Sequence, residues 1–384
     1  MNKFAGIGLA LLAVLAGVAL VVGLGSDSSE PDDQPGSTEA VSTPEAQDDE
    51  PEAARPRPQR LTLAASGDML IHSPVYERAL AIGGGSDYDF APLFEPLRPW
   101  LKRADVALCH LETSLVGSLP PSGYPLFNAP PSLASAIAAT GWDACSIASN
   151  HAVDQGQEGI DATLDALDRA DIQHAGTHSS ERASDRPLLI RSGKVKIALL
   201  SYTTDLNGLQ TPAPWSVNLV DDPGAVLRDA RNAVAEGADA VIVNIHWGSG
   251  IVPEYTHTPS AGQREFASRL TRSPAITAVV GQGPHVVQPI ERIHGKYVVF
   301  SEGNLISNQG PAAGLPAASQ DGLVAFLDLI VRGESASVKR VRYLPVWVSH
   351  PDYAVLPATG STAAEARARV VSVVGRGGGV APHR

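Results

Sequence analysis

Ser149-Asn150-His151-Ala152-Val153-Asp154-Gln155-Gly156 is the stretch of this 384-residue chain that most constrains its fold. The apolar run 143–148 precedes it, and segment 159–170, whose apolar residues recur at helical spacing, follows it. A buried strand, a polar loop and an amphipathic helix in this order are typical of an α/β unit. We therefore expect the polar residues of this stretch to lie just beyond the carboxyl end of a strand.

The same alternation extends in both directions along the chain. Apolar runs predict strands at 61–65, 105–111, 143–148, 195–202, 240–245 and 276–280. Amphipathic spacing predicts helices at 131–140, 159–170, 225–235 and 263–270. Such alternation is typical of a largely parallel sheet covered by helices, that is, an α/β fold. The helix-poor stretch from about 286 to 350 predicts later antiparallel strands in a second sheet packed on the first.

Side chains with catalytic or metal-binding potential follow the ends of the predicted strands. They are Asp68, Glu112, Asn150, His151, His246 and His285. Each has a structural explanation when taken alone, because aspartates end turns, loop carboxylates are solvated and histidines fill core space. Ligands of open α/β sheets bind beyond the carboxyl ends of the strands. The joint position of the six residues therefore favours a functional site.

The composition of this set indicates a metal. Two carboxylates, an amide oxygen and imidazoles, without thiolates, suit Mn²⁺, Fe or Zn²⁺ better than Ca²⁺. A carboxylate that bridges two such ions is typical of sites that displace phosphoryl groups. Asp154, three residues after His151, has two interpretations. It could orient the imidazole and leave its other nitrogen free as a general acid, or it could cap the helix that contains Gly159.

The N-terminal region predicts export. Residues 4–24 carry no charge, and a helix of that length spans ~30 Å, the thickness of the bilayer hydrocarbon. Lys3 precedes the run and acidic residues follow it, which favours a single-pass anchor with the rest of the chain outside the cytoplasm. A cleaved signal peptide, which would make the protein secreted, is the alternative.

Composition sets the remaining domain boundaries. Segment 26–60 is acidic and rich in Pro and Ser, which predicts a disordered linker. We expect an anchor or signal peptide at 1–25, the linker at 26–60, a folded domain at 61–350, and a C-terminal helix with a flexible tail at 351–384. The net charge is −12 and no basic stripe is present, which argues against nucleic acid as a partner. Cys109 and Cys145 could form a bridge or remain two buried thiols.

Several ordered motifs carry a resemblance to a known family. They are Gly67-Asp68, Leu111-Glu112-Thr113, the 149–156 stretch followed by Gly159, Thr163, Leu164 and Leu167, His246-Trp247-Gly248 with Glu254 and Gln263, Gly281 with 284–291, and Ser301-Glu302-Gly303-Asn304-Leu305. In this order and spacing they resemble the CapA-type proteins of capsule and poly-γ-glutamate synthesis. The resemblance covers about residues 61–350.

The resemblance implies a fold similar to the calcineurin-like metallophosphoesterases, a β-sandwich flanked by helices. It places Asp68, Glu112, Asn150, His246 and His285 on metal-ligand positions, and His151 on the position of the phosphoesterase acid. It also implies a membrane-anchored protein that helps to make or export an anionic polymer at the cell surface.

Two positions depart from the family pattern. Gly283 stands where the family reads a histidine before Pro284-His285, so one expected imidazole is missing and a second metal ion is in doubt. Gln282 is adjacent and offers only an amide oxygen. His110 replaces the asparagine that precedes Leu-Glu in the family, and it either supplies an imidazole or fills space.

Two functional hypotheses follow. In the first, the protein is a metal-dependent phosphoesterase or related hydrolase that acts on a cell-surface polymer or its lipid-linked precursor. In the second, it is a non-catalytic assembly factor whose pocket binds the polymer or organises membrane synthase partners.

Overall fold

The computed structural model describes residues 58–333, 335–361, 363–375 and 379–383. The expected anchor at 1–25 and all but the last residues of the expected linker at 26–60 lie outside this part of the chain. None of the helices within the described ranges has the length and apolar character needed to cross a membrane.

Fifteen strands occur in the described residues. They are β1 (Gln59–Met69), β2 (Val106–Leu111), β3 (Ala144–Ser146), β4 (Gln173–Ala175), β5 (Leu188–Ser192), β6 (Val195–Thr203), β7 (Ala240–His246), β8 (Ala278–Gln282), β9 (Ile290–Ile293), β10 (Lys296–Val299), β11 (Asn304–Ile306), β12 (Asp321–Arg332), β13 (Ser335–Val348), β14 (Val355–Pro357) and β15 (Val380–Pro382). Nine α-helices accompany them in these ranges. They are α1 (Ser73–Ile82), α2 (Ala91–Phe94), α3 (Arg98–Leu101), α4 (Ser132–Thr140), α5 (Gly156–Arg169), α6 (Glu181–Ser184), α7 (Pro223–Ala235), α8 (Ala261–Thr271) and α9 (Ala364–Val374).

The strands form two mixed sheets. Sheet 1 has the order β14-β13-β12-β1-β2-β3-β4, with β11 beside β1 and β15 beside β13. Sheet 2 has the order β5-β6-β7-β8-β10-β9. In sheet 1 the strands from β1 to β4 run parallel to one another, while β12, β13 and β14 are antiparallel. In sheet 2 the strands β6, β7, β8 and β10 are parallel, and the edge strands β5 and β9 are antiparallel.

Three hydrophobic cores define four layers. The first lies between sheet 1 and helices α1, α2, α4 and α5. The second lies between the two sheets, where residues of β1, β2, β6, β7 and β8 meet. The third lies between sheet 2 and helices α7 and α8. The expected fold class, a β-sandwich flanked by helices with parallel strands and later antiparallel strands, is therefore confirmed.

Local sequence explains where the flanking helices begin and end. Helix α8 starts with a capping box, in which Ser260 Oγ accepts from the backbone N–H of Gln263 and the Gln263 side chain accepts from Ser260 N–H. Helix α4 ends at Gly141, whose φ of 112° is favoured only by glycine. These helices cover the outer faces of the sheets, so the polar strand ends are left to the loops.

The division of strands between the sheets differs from the expected one. The late strands β12 and β13 join sheet 1, and the second sheet is built mainly from β5 to β8 in the middle of the chain. The physical reason is the free edge of β1, whose residues 59–66 pair antiparallel with residues 331–324 of β12. This pairing makes β1 an internal strand and buries most of its residues.

The C-terminal region contains helix α9 and strand β15, and both pack on the domain. Helix α9 supplies Val370 and Val374 to the core between the sheets. Within the expected tail, β15 runs parallel to β13. The α9 side chain Arg369 donates two hydrogen bonds, of 2.6 and 2.9 Å, to the carboxylate of Asp321, whose side chain is only 2% exposed.

Cys109 and Cys145 form a disulfide between β2 and β3. The two residues are directly paired across these parallel strands. Both are buried in the core between sheet 1 and its helices. Of the two possibilities for the cysteines, the structure therefore contains the bridge.

We expect Arg369→Ala to lower the free energy of unfolding by ~3 kcal/mol, because it leaves the buried carboxylate of Asp321 without its charged partner. Urea denaturation monitored by circular dichroism measures this change. Arg367→Ala, at an exposed position of the same helix, is the control and should change the free energy of unfolding by less than ~0.5 kcal/mol. Equal effects of the two substitutions would contradict this role of the ion pair.

Candidate metal centre

The two sheets bring their polar strand ends to one place. In sheet 1, Asp68 near the end of β1 lies opposite His110 of β2, and Glu112 directly follows β2. In sheet 2, His246 is the last residue of β7 and lies opposite Gln282 of β8. The parallel strands of each sheet end at the same edge, so the site is assembled from four strands that the sequence separates widely.

Four of these side chains form a compact cluster, which we call the tetrad: Asp68, His110, Glu112 and His246. One potential ligand atom from each residue lies within 4.8 Å of the corresponding atoms of the other three. All four residues are at most 1% exposed. Two carboxylates and two imidazoles at this spacing can hold a transition-metal ion.

The oxygen atoms of the tetrad test whether a cation fits. Both carboxylate oxygens of Asp68 and both of Glu112 are buried and accept no hydrogen bond from the described residues. The same holds for the amide oxygens of Asn150 and Gln282. Buried carboxylates are normally paired or coordinate metals, since an uncompensated charge is costly. Among the described residues, only His285 and His246 form ion-pair contacts with the carboxylate oxygens, at 3.2 and 3.7 Å. The remaining oxygens are available as donors to a divalent cation.

The two imidazoles of the tetrad lie side by side. His110 Nε2 is 3.0 Å from His246 Nδ1, and the ring planes are 24° apart. His246 Nε2 is 3.7 Å from a carboxylate oxygen of Glu112. Burial lowers the pKa of His110 to about 4, and burial together with the neighbouring His110 lowers the pKa of His246 well below its usual range. Both rings are therefore neutral at pH 7, as metal ligands must be.

Without a cation, the protonation of Glu112 and His285 limits the net negative charge of the site. Burial, reinforced by the neighbouring Asp68, raises the pKa of Glu112 well above its usual range. Burial alone would lower the pKa of His285, but Glu112 and Asp68 raise it to about 10. The protonated His285 thus provides the balancing positive charge beside the carboxylates in the metal-free protein.

His285 belongs to the same site but lies at its margin. Its Nδ1 is 3.0 Å from Asn304 Oδ1 and 3.2 Å from a carboxylate oxygen of Asp68. Asp68 and Asn304 are brought together because the backbone N–H of Asp68 donates to the carbonyl of Gly303. This approach requires Gly67, since a Cβ there would lie 1.8 Å from the Gly303 oxygen.

Position 283 has no room for the imidazole that the family pattern places there. Gly283 adopts a φ of 110°, and a Cβ would lie 2.3 Å from the backbone oxygen of Trp247. The adjacent Gln282 donates its amide N–H to Glu302 at 2.6 Å and keeps an unpaired oxygen. The backbone conformation at Gly283 thus excludes a histidine side chain. A histidine at this position would require a different path for the loop after β8.

A second group of predicted residues lies in the loop after β3. His151 Nδ1 is 2.8 Å from Asp154 Oδ2, which also accepts from the backbone N–H of Phe127 at 2.7 Å. Helix α5 begins at Gly156 with Gln155 at its N-cap, so Asp154 orients the imidazole and does not cap the helix. Held in this way, His151 presents Nε2 as its remaining nitrogen.

Asn207 joins this group from the loop after β6. Its Nδ2 is 3.4 Å from His151 Nε2, and its Oδ1 accepts from Asn150 Nδ2 at 3.3 Å. A cleft of about 660 Å³ opens above these residues and is lined by Asn150, His151 and His285. The exposed side chain of Tyr124 stands at its edge. A bound molecule would therefore reach the imidazoles through this cleft.

Two members of the site, His110 and Asn207, are not assigned to it from the sequence. For His110 the sequence leaves open whether it supplies an imidazole or fills space. Side chains alternate along a strand, so His110 lies on the same face as Glu112, two residues later, and this pattern favours the first possibility. Asn207 carried no signal, because its contacts depend on how sheet 2 packs on sheet 1. The structure brings Asp68, Glu112 and His246 together, places His285 beside them, and sets Asn150, His151 and Asp154 along the cleft.

Glu302 gives the metal-free site a pH dependence. Burial raises the pKa of Glu302 to about 8, and Asp68 adds to the shift. A carboxyl whose pKa is raised on folding stabilises the protein fully below its unfolded pKa, and this contribution is lost as pH rises through about 8. We therefore expect the free energy of unfolding of the chelator-treated protein to fall by a few kcal/mol between pH 5 and pH 9.

Denaturant titrations across this pH range measure the effect. Glu302→Gln should reduce the decline but not abolish it, because the raised pKa values of Glu112 and His285 act in the same direction. Glu265→Gln, at an exposed position of α8, should leave the decline unchanged. A decline of the same size in the Glu302→Gln protein would show that another group is responsible.

Comparisons with solved structures find distant similarities. The chain aligns with a calcineurin-like phosphoesterase of Bacillus subtilis at 16% identity over 82% of this chain and 98% of that one, with a TM-score of 0.45. A phosphatase of Mycoplasma pneumoniae aligns at 11% identity over 77% of this chain and 96% of that one, with a TM-score of 0.43. The fold assignment rests on the sheet order and layers described above.

Comparisons with characterised sequences are more specific. A capsule biosynthesis protein CapA of Bacillus anthracis is 24% identical over 66% of this chain and 61% of its own length. A probable polyglutamine synthesis accessory protein of Mycobacterium tuberculosis is 26% identical over 64% of this chain and 66% of its own. The chain thus spans about two thirds of these relatives. The family model described as bacterial capsule synthesis protein PGA_cap matches residues 62–309, and the chain belongs to this family.

Proposed function

We propose that the protein is a metal-dependent hydrolase of the phosphoesterase type that serves the synthesis or export of an anionic capsular polymer outside the cytoplasm. The observation that carries the proposal is the buried pair Asp68 and Glu112, whose four carboxylate oxygens accept no hydrogen bond from the described residues and lie beside neutral imidazoles. A buried site of this kind is built for a cation. His285, which contacts Asp68, also lines the cleft that would receive a substrate.

Asp68, Glu112 and His246 would hold the cation, with Asn150 and His285 as further ligands. The oxygen and nitrogen donors favour Mn²⁺, Fe or Zn²⁺, and the number of ions is one or two. A bound ion of this type supplies Lewis-acid stabilisation and an activated water. His285 can bind the cation only after it loses a proton, because a protonated imidazole is not a metal ligand. In the metal-free protein, Glu112 and Asp68 favour its protonated form.

His151 is the general acid of the proposal. Asp154 accepts hydrogen bonds from His151 Nδ1–H and from the backbone N–H of Phe127, so the ring is fixed in orientation. Its Nε2 lies beside Asn207 at the cleft, where it can donate a proton to a leaving-group oxygen. Asn207 offers an amide hydrogen to the same oxygen.

The relatives, which are named for capsule and polyglutamine synthesis, support a polymer-related substrate. We propose that the substrate is a cell-surface anionic polymer or its lipid-linked precursor, and that membrane synthases are partners. The apolar segment 4–24 would anchor the chain in the membrane. The Cys109–Cys145 disulfide supports a site outside the cytoplasm, because such bonds persist in oxidising compartments.

The catalytic proposal is tested with full-length protein stripped by a chelator. We expect Mn²⁺ to bind in calorimetric titrations and to support hydrolysis of bis(p-nitrophenyl) phosphate. His151→Ala should lower kcat by ~10²–10⁴-fold, the usual contribution of a general acid, while Mn²⁺ affinity is retained. His178→Ala is the control, since this half-buried histidine is hydrogen-bonded to Asn218 outside the cleft.

Two results would contradict this proposal. Wild-type protein that neither binds Mn²⁺ nor hydrolyses the ester would remove the metal and the reaction together. The second result has two parts: the wild type binds Mn²⁺ but hydrolyses no phosphodiester, and the His151→Ala variant still supports capsule formation. This result would indicate that the pocket has a non-catalytic assembly role.

The location is tested in intact cells. We expect a membrane-impermeant protease to digest the folded domain, and fractionation to recover the undigested protein with the membranes. Thiol alkylation of unfolded, unreduced protein should label neither Cys109 nor Cys145. Protection from the protease together with two reactive thiols would place the domain in the cytoplasm and overturn this part of the proposal.

A further inference from the structure

We infer that His110 is itself a metal ligand, and that Ser146 holds its ring in the Nδ1–H tautomer so that the Nε2 lone pair faces the cation. Sheet 1 would thus supply from β2 the imidazole that Gly283 cannot supply from the loop after β8. The inference rests on the proposed metal function and deepens it, because it assigns a ligand and a positioning residue that the family pattern does not contain.

The first step is the position of the ring. His110 lies opposite Asp68 in the pairing of β1 and β2, and it is 0% exposed. Its Nε2 is 3.0 Å from His246 Nδ1. Two nitrogen ligands that are each ~2.1 Å from one ion stand ~3.0 Å apart at an octahedral angle and ~3.4 Å apart at a tetrahedral angle. Without a cation a proton lies between the two nitrogens, and with His110 protonated at Nδ1 the donor is His246 Nδ1–H. Once that proton leaves His246 Nδ1, the two nitrogens stand at a spacing that suits neighbouring ligands of one cation.

The second step is the tautomer. His110 Nδ1 is 2.8 Å from Ser146 Oγ, and the Ser146 hydroxyl lies 3.1 Å from the carbonyl of Cys109, to which it can donate. A serine hydroxyl carries a single proton. When that proton goes to the carbonyl, Ser146 Oγ must accept from His110 Nδ1–H, and Nε2 is left with a lone pair. Orientation of a metal-bound histidine through its other nitrogen is a general property of metal sites.

The third step is the rigidity of this arrangement. His110 and Ser146 are directly paired across β2 and β3, and the preceding pair in the same register is the disulfide Cys109–Cys145. The covalent link fixes the register of the two strands next to the hydrogen bond. Since a one-residue slip would turn either side chain to the opposite face of the sheet, the link keeps Ser146 beside the His110 ring.

The tautomer can be measured without a metal. Full-length protein labelled with ¹⁵N-histidine is treated with a chelator, and two-bond ¹H–¹⁵N spectra identify the protonated nitrogen of each ring. We expect the His110 signals, assigned by their loss in His110→Asn, to report Nδ1–H. Ser146→Ala should populate the other tautomer. A wild-type His110 ring protonated at Nε2 would overturn the inference.

Metal affinity is measured on the same proteins by calorimetry with Zn²⁺, and the ligand field is measured by the visible absorption of bound Co²⁺. We expect His110→Asn to weaken Zn²⁺ binding by more than ~10-fold and to change the Co²⁺ spectrum. Ser146→Ala should weaken binding by ~10-fold, the lower end of the usual cost of losing an outer-shell partner. His178→Asn, whose ring is hydrogen-bonded outside the site, should match the wild type.

The outcomes separate the inference from the proposed function. If the wild type binds Zn²⁺ and His110→Asn binds it equally well with an unchanged Co²⁺ spectrum, His110 is not a ligand, and the metal function stands without it. If the wild type binds neither cation, the metal function fails, and this inference fails with it. Circular dichroism of each variant verifies that a loss of affinity does not come from unfolding.

Discussion

The burial of two neighbouring carboxyl groups, Asp68 and Glu112, is the constraint on which the rest of the site depends. Among the described residues, no lysine or arginine forms an ion pair with either carboxylate, and the ion-pair contacts are those of His246 with Glu112 and of His285 with Asp68. Desolvating two carboxylates so close together costs several kcal/mol unless positive charge is supplied. The positive charge of His285 is a consequence of this shortage, whereas His110 and His246 are neutral because burial lowers their pKa values.

The architecture explains how such an unfavourable arrangement is held in place. Asp68 and Glu112 come from sheet 1 and His246 from sheet 2, and the apolar core between the sheets fixes their spacing from behind. Burial of apolar side chains stabilises the sandwich by far more than the unpaired carboxylates destabilise it. The strand ends are thus preorganised, and binding a cation would need little movement of the backbone.

Much of this fold could be predicted from the sequence because local patterns determine it. Apolar runs mark β1, β2, β6, β7 and β8, helical spacing marks α4, α5, α7 and α8, and the polar residues at strand ends mark the site. The assignment of β12 to sheet 1 could not be predicted, since it depends on which strand leaves a free edge. The approach of Asn207 to His151 and the steric exclusion of a side chain at Gly283 are likewise products of long-range packing, and local sequence carries no record of them.

The spread of the site along the chain has a consequence for how a metal would be acquired. Asp68 and Asn304 are neighbours in space, yet 236 residues separate them in sequence, so a chain that emerges N-terminus first has no complete site until nearly the whole domain is available. The domain lies outside the cytoplasm in our proposal, and in a chain that crosses the membrane unfolded the ligands would first assemble on the far side. Selection between competing ions would then be decided by the ion concentrations of that compartment at the moment of folding, and the metal supply of the cytoplasm would have no part in it.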